Sequence, residues 1–237
     1  MHLVVGTPMY SGMCTSEYVQ SLMALKDSVQ NGGHKLTSVF LGNESLIQRG
    51  RNTIAWHFLN IPDATHLLFA DADIKFRPID VAKMIKADKP IIIGPCPMKG
   101  LNWERVRLAA QNGFKGDLSK LSGIFALTEL DGHVMKNENE PFQIKHGGTG
   151  FMLIRRDVFI DLSKHVGKYI NGGTSVSPNA EVIDFFQVGV IDKQLLSEDY
   201  FFCDKYRSTG GTVWAAPWCE LGHFGSYLFS GCYASGK

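Results

Sequence analysis

Short, continuous apolar runs alternate along this chain with longer segments whose apolar positions repeat at helical spacing. Leu3-Val4-Val5 predicts a short strand that ends at the turn signal Gly6-Thr7-Pro8. From Glu17 to Val29, the residues Tyr18, Leu22, Leu25 and Val29 share one helical face. Thr15 or Ser16 can cap that helix, and Asn31-Gly32-Gly33 ends it. Lys35 to Leu41 predicts a second strand and Ser45 to Leu59 a second helix. Leu67 to Ala70 reads as a buried strand, Ile79 to Ala87 as a helix with Pro78 near its first turn, and Ile91-Ile92-Ile93 as a further buried strand. The first hundred residues thus predict βαβαβαβ, the α/β pattern of a mostly parallel central sheet flanked by helices.

The second half is less regular. Phe125 to Glu129 and Val134-Met135 predict a hairpin about Asp131-Gly132. Phe151 to Ile154 is a buried strand that follows Gly147-Gly148-Thr149-Gly150. Arg156 to Leu162 and Glu198 to Arg207 predict helices, and Thr212 to Ala215 a strand. Lys168 to Pro178, rich in Gly, Ser and Asn, reads as a mobile loop, and the tail after His223 as irregular. With no internal repeat and no linker, residues 1–237 read as a single domain.

Composition narrows the class. The chain has 237 residues, of which 44% are hydrophobic, enough for one substantial core. A net charge of +1 excludes a global polycation built for nucleic acid or anionic membrane. The five cysteines (Cys14, Cys96, Cys203, Cys219 and Cys232) are odd in number and form no C-x-x-C pair. That argues against a disulfide framework or a structural zinc site and fits a reducing compartment. The first residues read as a core strand rather than a signal peptide, and no apolar run is long enough to span a bilayer. The expectation is a soluble, cytoplasmic protein.

Chemistry concentrates where the run Leu67-Leu68-Phe69-Ala70 stops abruptly at Asp71-Ala72-Asp73. Extended backbone sends both carboxylates to one side and turns Ala72 away. Two hard oxygen donors at a strand's C-terminal end can hold a divalent cation and, through it, a diphosphate. Alone, the same spacing is equally at home in an Asp-rich turn.

Other segments join it in order: Thr7-Pro8-Met9-Tyr10, Ser45 to Asn52, Gly148-Thr149-Gly150-Phe151, Ser197-Glu198-Asp199-Tyr200 and a late His223. With them the chain resembles the GT-A glycosyltransferases, of the small soluble type found in phages and bacteria. The resemblance runs through most of the chain. It implies a GT-A, Rossmann-like fold, with a nucleotide-sugar-binding half over about residues 1–100 and an acceptor-binding half over about 101–237. It implies transfer of a hexose or pentose from a nucleoside-diphosphate sugar, UDP-linked by preference, to an acceptor hydroxyl.

The resemblance also implies roles for residues. Thr7, Pro8 and Tyr10 would line the nucleotide, with Tyr10 stacking on its base. One of Arg49 and Arg51 would sit by the nucleotide, which Asn52 would help to position. Asp71 would contact ribose or metal-bound water, beside Ala72, and Asp73 would bind the metal directly. His223 would complete the metal site, and an imidazole beside carboxylates suits Mn2+ better than Mg2+. Asp199 would act as general base, with Glu198 in support, giving inversion at the anomeric carbon. Gly148 and Thr149 form either a tight turn or a sugar contact. Trp103 and Trp214 are candidate acceptor platforms, or simply packed rings.

Acceptor identity stays open between hydroxymethylated pyrimidine in phage DNA and a glycan, lipopolysaccharide or small molecule. Lys99, Arg105, Arg107, Lys115 and Lys120 offer a basic strip for DNA phosphates. A nucleotidyltransferase and a non-catalytic nucleotide-sugar binder are the alternatives from other classes. Oligomeric state is not legible.

Overall fold

The structure is a computed structural model that describes residues 1–172, 179–191 and 193–234. In chain order it begins with β1 (His2–Met9), α1 (Ser16–Asn31), β2 (Lys35–Gly42), α2 (Ile47–Leu59) and β3 (His66–Ala70). There follow β4 (Ile74–Lys75), α3 (Pro78–Ala87), β5 (Ile91–Ile93), β6 (Pro97–Leu101) and α4 (Trp103–Gln111). A 3-10 turn at Leu118–Leu121 precedes β7 (Gly123–Phe125), β8 (Leu127–Glu129), β9 (Phe142–Gly147), β10 (Phe151–Arg155) and α5 (Arg156–Leu162). Then come β11 (Lys168–Asn171), β12 (Ala180–Ile183), β13 (Gly189–Ile191), β14 (Gln194–Leu196) and α6 (Glu198–Ser208). β15 (Val213–Ala215), β16 (Glu220–Phe224) and β17 (Leu228–Cys232) complete the described chain.

The central sheet has the order β2-β1-β3-β10-β5-β15-β9-β8. β1 is parallel to β2 and β3, and β5 is parallel to β15, whereas β10 and β9 run against their neighbours. The predicted mostly parallel sheet is therefore present, with one insertion: β10 lies between β3 and β5. Its run Phe151-Met152-Leu153-Ile154 is buried on both faces and fits that central slot. Because β10 is antiparallel, its beginning meets the end of β3. Asp71 N–H donates to Gly150 C=O at 3.0 Å, so the glycine turn stands against the acidic pair.

Alternation along the strands feeds two cores. Val4, Leu67, Phe69 and Ile91 face one layer, with Ile54 and Phe58 of α2 and Phe159 of α5. Leu3, Val5, Leu68 and Ile92 face the other, with Tyr18 and Leu25 of α1 and Val81 and Met84 of α3. Each large side chain so buried contributes about 1.5–3 kcal/mol.

Several expectations change in three dimensions. Thr15, not Ser16, caps α1, its Oγ1 accepting from Tyr18 N–H at 3.2 Å. α2 begins at Ile47, and the Glu44 carboxylate accepts from Leu46 N–H at 2.9 Å where a capping side chain would act. The predicted hairpin about Asp131-Gly132 pairs differently: β8 finds β9, and Leu130–His133 makes only an isolated bridge. The long β9 offers more ladder than Val134-Met135 can. The tail is not irregular, since β17 pairs with β16, and β16 in turn pairs with β4, placing His223 opposite Ile74. Part of the expected loop from Lys168 is the strand β11, paired with β12, while residues 173–178 lie outside the described residues. Cys14, Cys96 and Cys203 are free thiols. Among the described residues, no helix is long and apolar enough to cross a membrane.

Candidate functional site

The site is built at the C-terminal end of β3. α2 passes close over β1 because Gly6 has no side chain; a Cβ there would strike Ile54. That approach carries Arg51 into the interior, where it is 4% exposed. Its Nη1 and Nη2 donate to Asp71 Oδ1 and Oδ2 at 3.2 and 3.4 Å, and its Nε donates to Glu198 Oε1 at 3.1 Å. Burial opposes the guanidinium charge, but Asp71 and Glu198 outweigh it and raise its pKa. Phe69 lies beneath, its ring centre 5.4 Å from the guanidinium carbon.

The neighbouring cation is used elsewhere. Arg49 makes a two-point pair with Glu44, at 2.6 and 2.8 Å. So Arg51, not Arg49, faces the acidic strand end. Asn52 does not face the cleft as expected. Its amide nitrogen donates to Asp184 at 2.8 Å and its oxygen accepts from Phe186 N–H at 2.8 Å, pinning the segment before β13. Thr7 is likewise withdrawn: it is fully buried, and its hydroxyl bonds to that of Tyr18.

Asp73 has different company. Its Oδ2 accepts from Lys99 Nζ at 2.7 Å and lies 3.2 Å from His223 Nε2. His223 Nδ1 is 2.9 Å from Pro97 C=O, which fixes the ring with Nε2 toward the carboxylate. Burial works to raise the Asp73 carboxyl, but the bonds from His223 and Lys99 hold it below its ordinary value. Burial likewise works to lower the imidazole, and Asp73 and Pro97 hold it above. Bonds of about 2.1 Å to one cation at a right angle separate two ligand atoms by roughly 3 Å. The Asp73–His223 spacing fits that requirement. Asp71 does not join them, being turned to Arg51. Among the described residues, no group of three or more His, Cys, Asp or Glu side chains converges on one point.

A cleft of about 540 Å3 opens over this end of the sheet. Pro8, Tyr10, Ser45, Asp71, Ala72 and Asp73 all contribute to its lining. Tyr10 is 70% exposed, so its ring is available for stacking. Ala72 contributes backbone: its carbonyl accepts from Thr15 N–H at 2.9 Å and ties the acidic turn to α1.

On the other side stand the two acids of α6. Glu198 is buried and spent on Arg51. Asp199 is half-buried: Oδ1 accepts from Ser197 Oγ and, at 2.8 Å, from Tyr200 N–H. Its Oδ2 faces Gly148, 3.6 Å from where a Cβ would stand. Thr149 is 1% exposed, and its hydroxyl has no hydrogen-bond partner among the described residues. Gly150 packs Asp71 against Cys96, a thiol whose pKa is raised by burial and by the two aspartates.

Other candidates separate from this cluster. Trp103 is exposed at the start of α4. Trp214 is not an open platform: Lys89 Nζ sits 4.1 Å above its ring, and its Nε1–H donates to Thr212. In the basic strip, Lys99 pairs with Asp73, Arg107 with Glu104 and Lys120 with Glu220. Arg105 donates to Gly123 C=O. Sequence reasoning gave Lys99 no part in the acidic site and passed over Pro97, because neither position has a motif. Only the packing of β6, itself paired with β7, against β16 and β17 brings them there.

No family model matches the chain, and no curated protein matches it in sequence. Solved structures are similar in fold. A197 from STIV aligns with TM-score 0.54 and 13% identity, covering 98% of this chain and 94% of that one. TarS from S. aureus (its residues 1–349) aligns with TM-score 0.39 and 12% identity, over 91% of this chain and 60% of that one. HddC from Yersinia pseudotuberculosis, complexed with GMP-PN, aligns with TM-score 0.35 and 12% identity, over 88% and 97% of the two chains. The likeness to A197 spans nearly the whole of both chains and shows a shared fold. The architecture is α/β and GT-A-like, a mostly parallel sheet with helices on both faces.

Proposed function

We propose that the protein is a glycosyltransferase that moves a sugar from a nucleoside-diphosphate sugar, UDP-linked by preference, to an acceptor hydroxyl. The observation that carries this reading is the cleft itself. It runs from the exposed ring of Tyr10 to Asp71 and Asp73, with His223 Nε2 3.2 Å from Asp73 Oδ2. One end suits a base and the other a diphosphate bound through a divalent cation.

Asp73 and His223 would hold that cation, an oxygen and a nitrogen donor suited to Mn2+. When bound, the cation neutralises charge that builds on the departing diphosphate. Tyr10 offers the face on which the base stacks. Arg51 fixes Asp71 at the strand end, and the same guanidinium orients Glu198 at the start of α6. Asp199 keeps Oδ2 toward Gly148 while Ser197 and Tyr200 hold Oδ1. An acceptor O–H on that side gives its proton to Oδ2 as its oxygen bonds to the anomeric carbon. The bond from that carbon to the diphosphate breaks in the same step, which inverts the centre.

Three of the strip's five cations are spent on acidic side chains, which favours a glycan or small hydroxyl acceptor over DNA. The test is calorimetry of UDP, GDP and CDP with Mn2+ and then with EDTA, followed by product analysis. Metal-dependent binding and release of a nucleoside diphosphate support the reading. Release of pyrophosphate from a nucleoside triphosphate would instead indicate a nucleotidyltransferase. Silence with all three nucleotides would overturn the donor site.

A further inference from the structure

We infer that Lys99 is a diphosphate-binding residue, held on Asp73 until a donor enters and then transferred to the donor's phosphates. The inference rests on the donor reading above and adds a cationic contact to it.

Three observations converge. First, β6 pairs with β7 at Pro97↔Phe125 and at Leu101↔Gly123, and the register between these points is irregular. The irregular stretch holds Met98, Lys99 and Gly100, and an irregularity of this kind re-aims side chains out of the ladder. Second, the aliphatic stem of Lys99 runs past Gly225, its Cδ and Cε 3.4 and 3.5 Å from where a Cβ would stand. A Cβ there would come only into ordinary van der Waals contact, so the stem lies along open backbone at this glycine. Third, β6 serves both Asp73 and His223. Pro97 C=O sets the His223 ring, and Lys99 Nζ lies 2.7 Å from Asp73 Oδ2.

The charges explain why the ammonium would move. Arg51 is buried and committed to Asp71 and Glu198, so it cannot follow a ligand. The Lys99 side chain is 44% exposed and swings on a flexible stem. Were Asp73 and His223 to hold a divalent cation, the ammonium would be repelled from Asp73, and the phosphate oxygens of a donor would give it a new anionic partner. A structural ion pair would leave Lys99 on Asp73 throughout.

The test compares UDP with uridine, GDP with guanosine and CDP with cytidine, by calorimetry in Mn2+, on the wild type, Lys99→Met and Lys99→Arg. Wild type should prefer the diphosphate to its nucleoside. Lys99→Met should lose roughly ten- to hundredfold in diphosphate affinity, as expected for a hydrogen bond to a charged group. Its nucleoside affinity should not change, and Lys99→Arg should recover part of the loss. Mn2+ alone should bind Lys99→Met at least as tightly as wild type, because a competitor for Asp73 is gone. Equal diphosphate affinity in wild type and Lys99→Met would overturn the inference and leave the donor site standing. No nucleotide binding by wild type would overturn both.

Discussion

Asp71 is held by Arg51 at two points, Nη1 to Oδ1 at 3.2 Å and Nη2 to Oδ2 at 3.4 Å. The third donor of the same guanidinium goes to Glu198. Breaking a buried pair leaves uncompensated charge, at a cost of about 3 kcal/mol. Arg51→Ala is expected to lower stability by that order, read from the urea midpoint. Arg51→Lys should recover little, because one ammonium cannot reproduce the forked geometry. An unchanged midpoint in Arg51→Ala would contradict the structural importance of this bridge.

Asp73 behaves differently, because its partners are polar, half-exposed and replaceable. Asp73→Asn should leave the urea midpoint nearly unchanged while weakening Mn2+-dependent nucleotide binding by more than about tenfold. Calorimetry with and without EDTA measures this. Full metal-dependent binding by the variant would remove Asp73 from the proposed metal site.

The two acids of α6 should separate cleanly. Asp199→Asn is expected to cut turnover by roughly a hundred- to ten-thousandfold, the range for a lost general base, with UDP binding retained. Glu198→Gln should instead lower stability, since Arg51 loses a charged partner. If Glu198→Gln abolished turnover at normal stability while Asp199→Asn remained active, the assignment of the base would be reversed.

Gly6 sets the approach of α2 to β1. Gly6→Ala would force Ile54 aside, and overpacking of this kind costs about 1–3 kcal/mol. Arg51 sits on the same helix, so nucleotide affinity should fall together with the thermal midpoint. A variant as stable as wild type would show that α2 has room to shift.

Acid should destabilise the fold through its histidines. Burial lowers the pKa of His57 and His66 below the ordinary 6.5, aided at His66 by Arg155. A depressed pKa contributes stability above 6.5 that is lost as pH falls through the folded values. His146 acts in the same direction, burial outweighing Asp204, whereas His223 has a raised pKa and acts in the opposite one. The double variant His57→Gln/His66→Gln should therefore lose less stability than wild type between about pH 7.5 and about pH 5. Parallel urea midpoints in the two proteins would show that neither ring contributes.

The central sheet was legible in the sequence because its strands are apolar runs and its helices carry one apolar face. Both patterns are local, and burial selects for them. That is why β1, β3, β5, α1 and the acidic strand end could be read in order. The cleft's aromatic and acidic residues followed from the same segments. Local pattern says nothing about which distant strand fills a slot. The insertion of β10 between β3 and β5, the pairing of β8 with β9 and the return of β16 against β4 were decided by tertiary packing. So were the side-chain assignments. Arg49, Arg51 and Asn52 are near neighbours on α2, and the sequence does not distinguish which points inward. The helix's angle over Gly6 sends Arg51 to Asp71, leaves Arg49 to Glu44 and turns Asn52 to Asp184. Lys99 acquired its place only when a strand of irregular register met the last strands of the fold, because a charge finds its partner through space rather than along the chain.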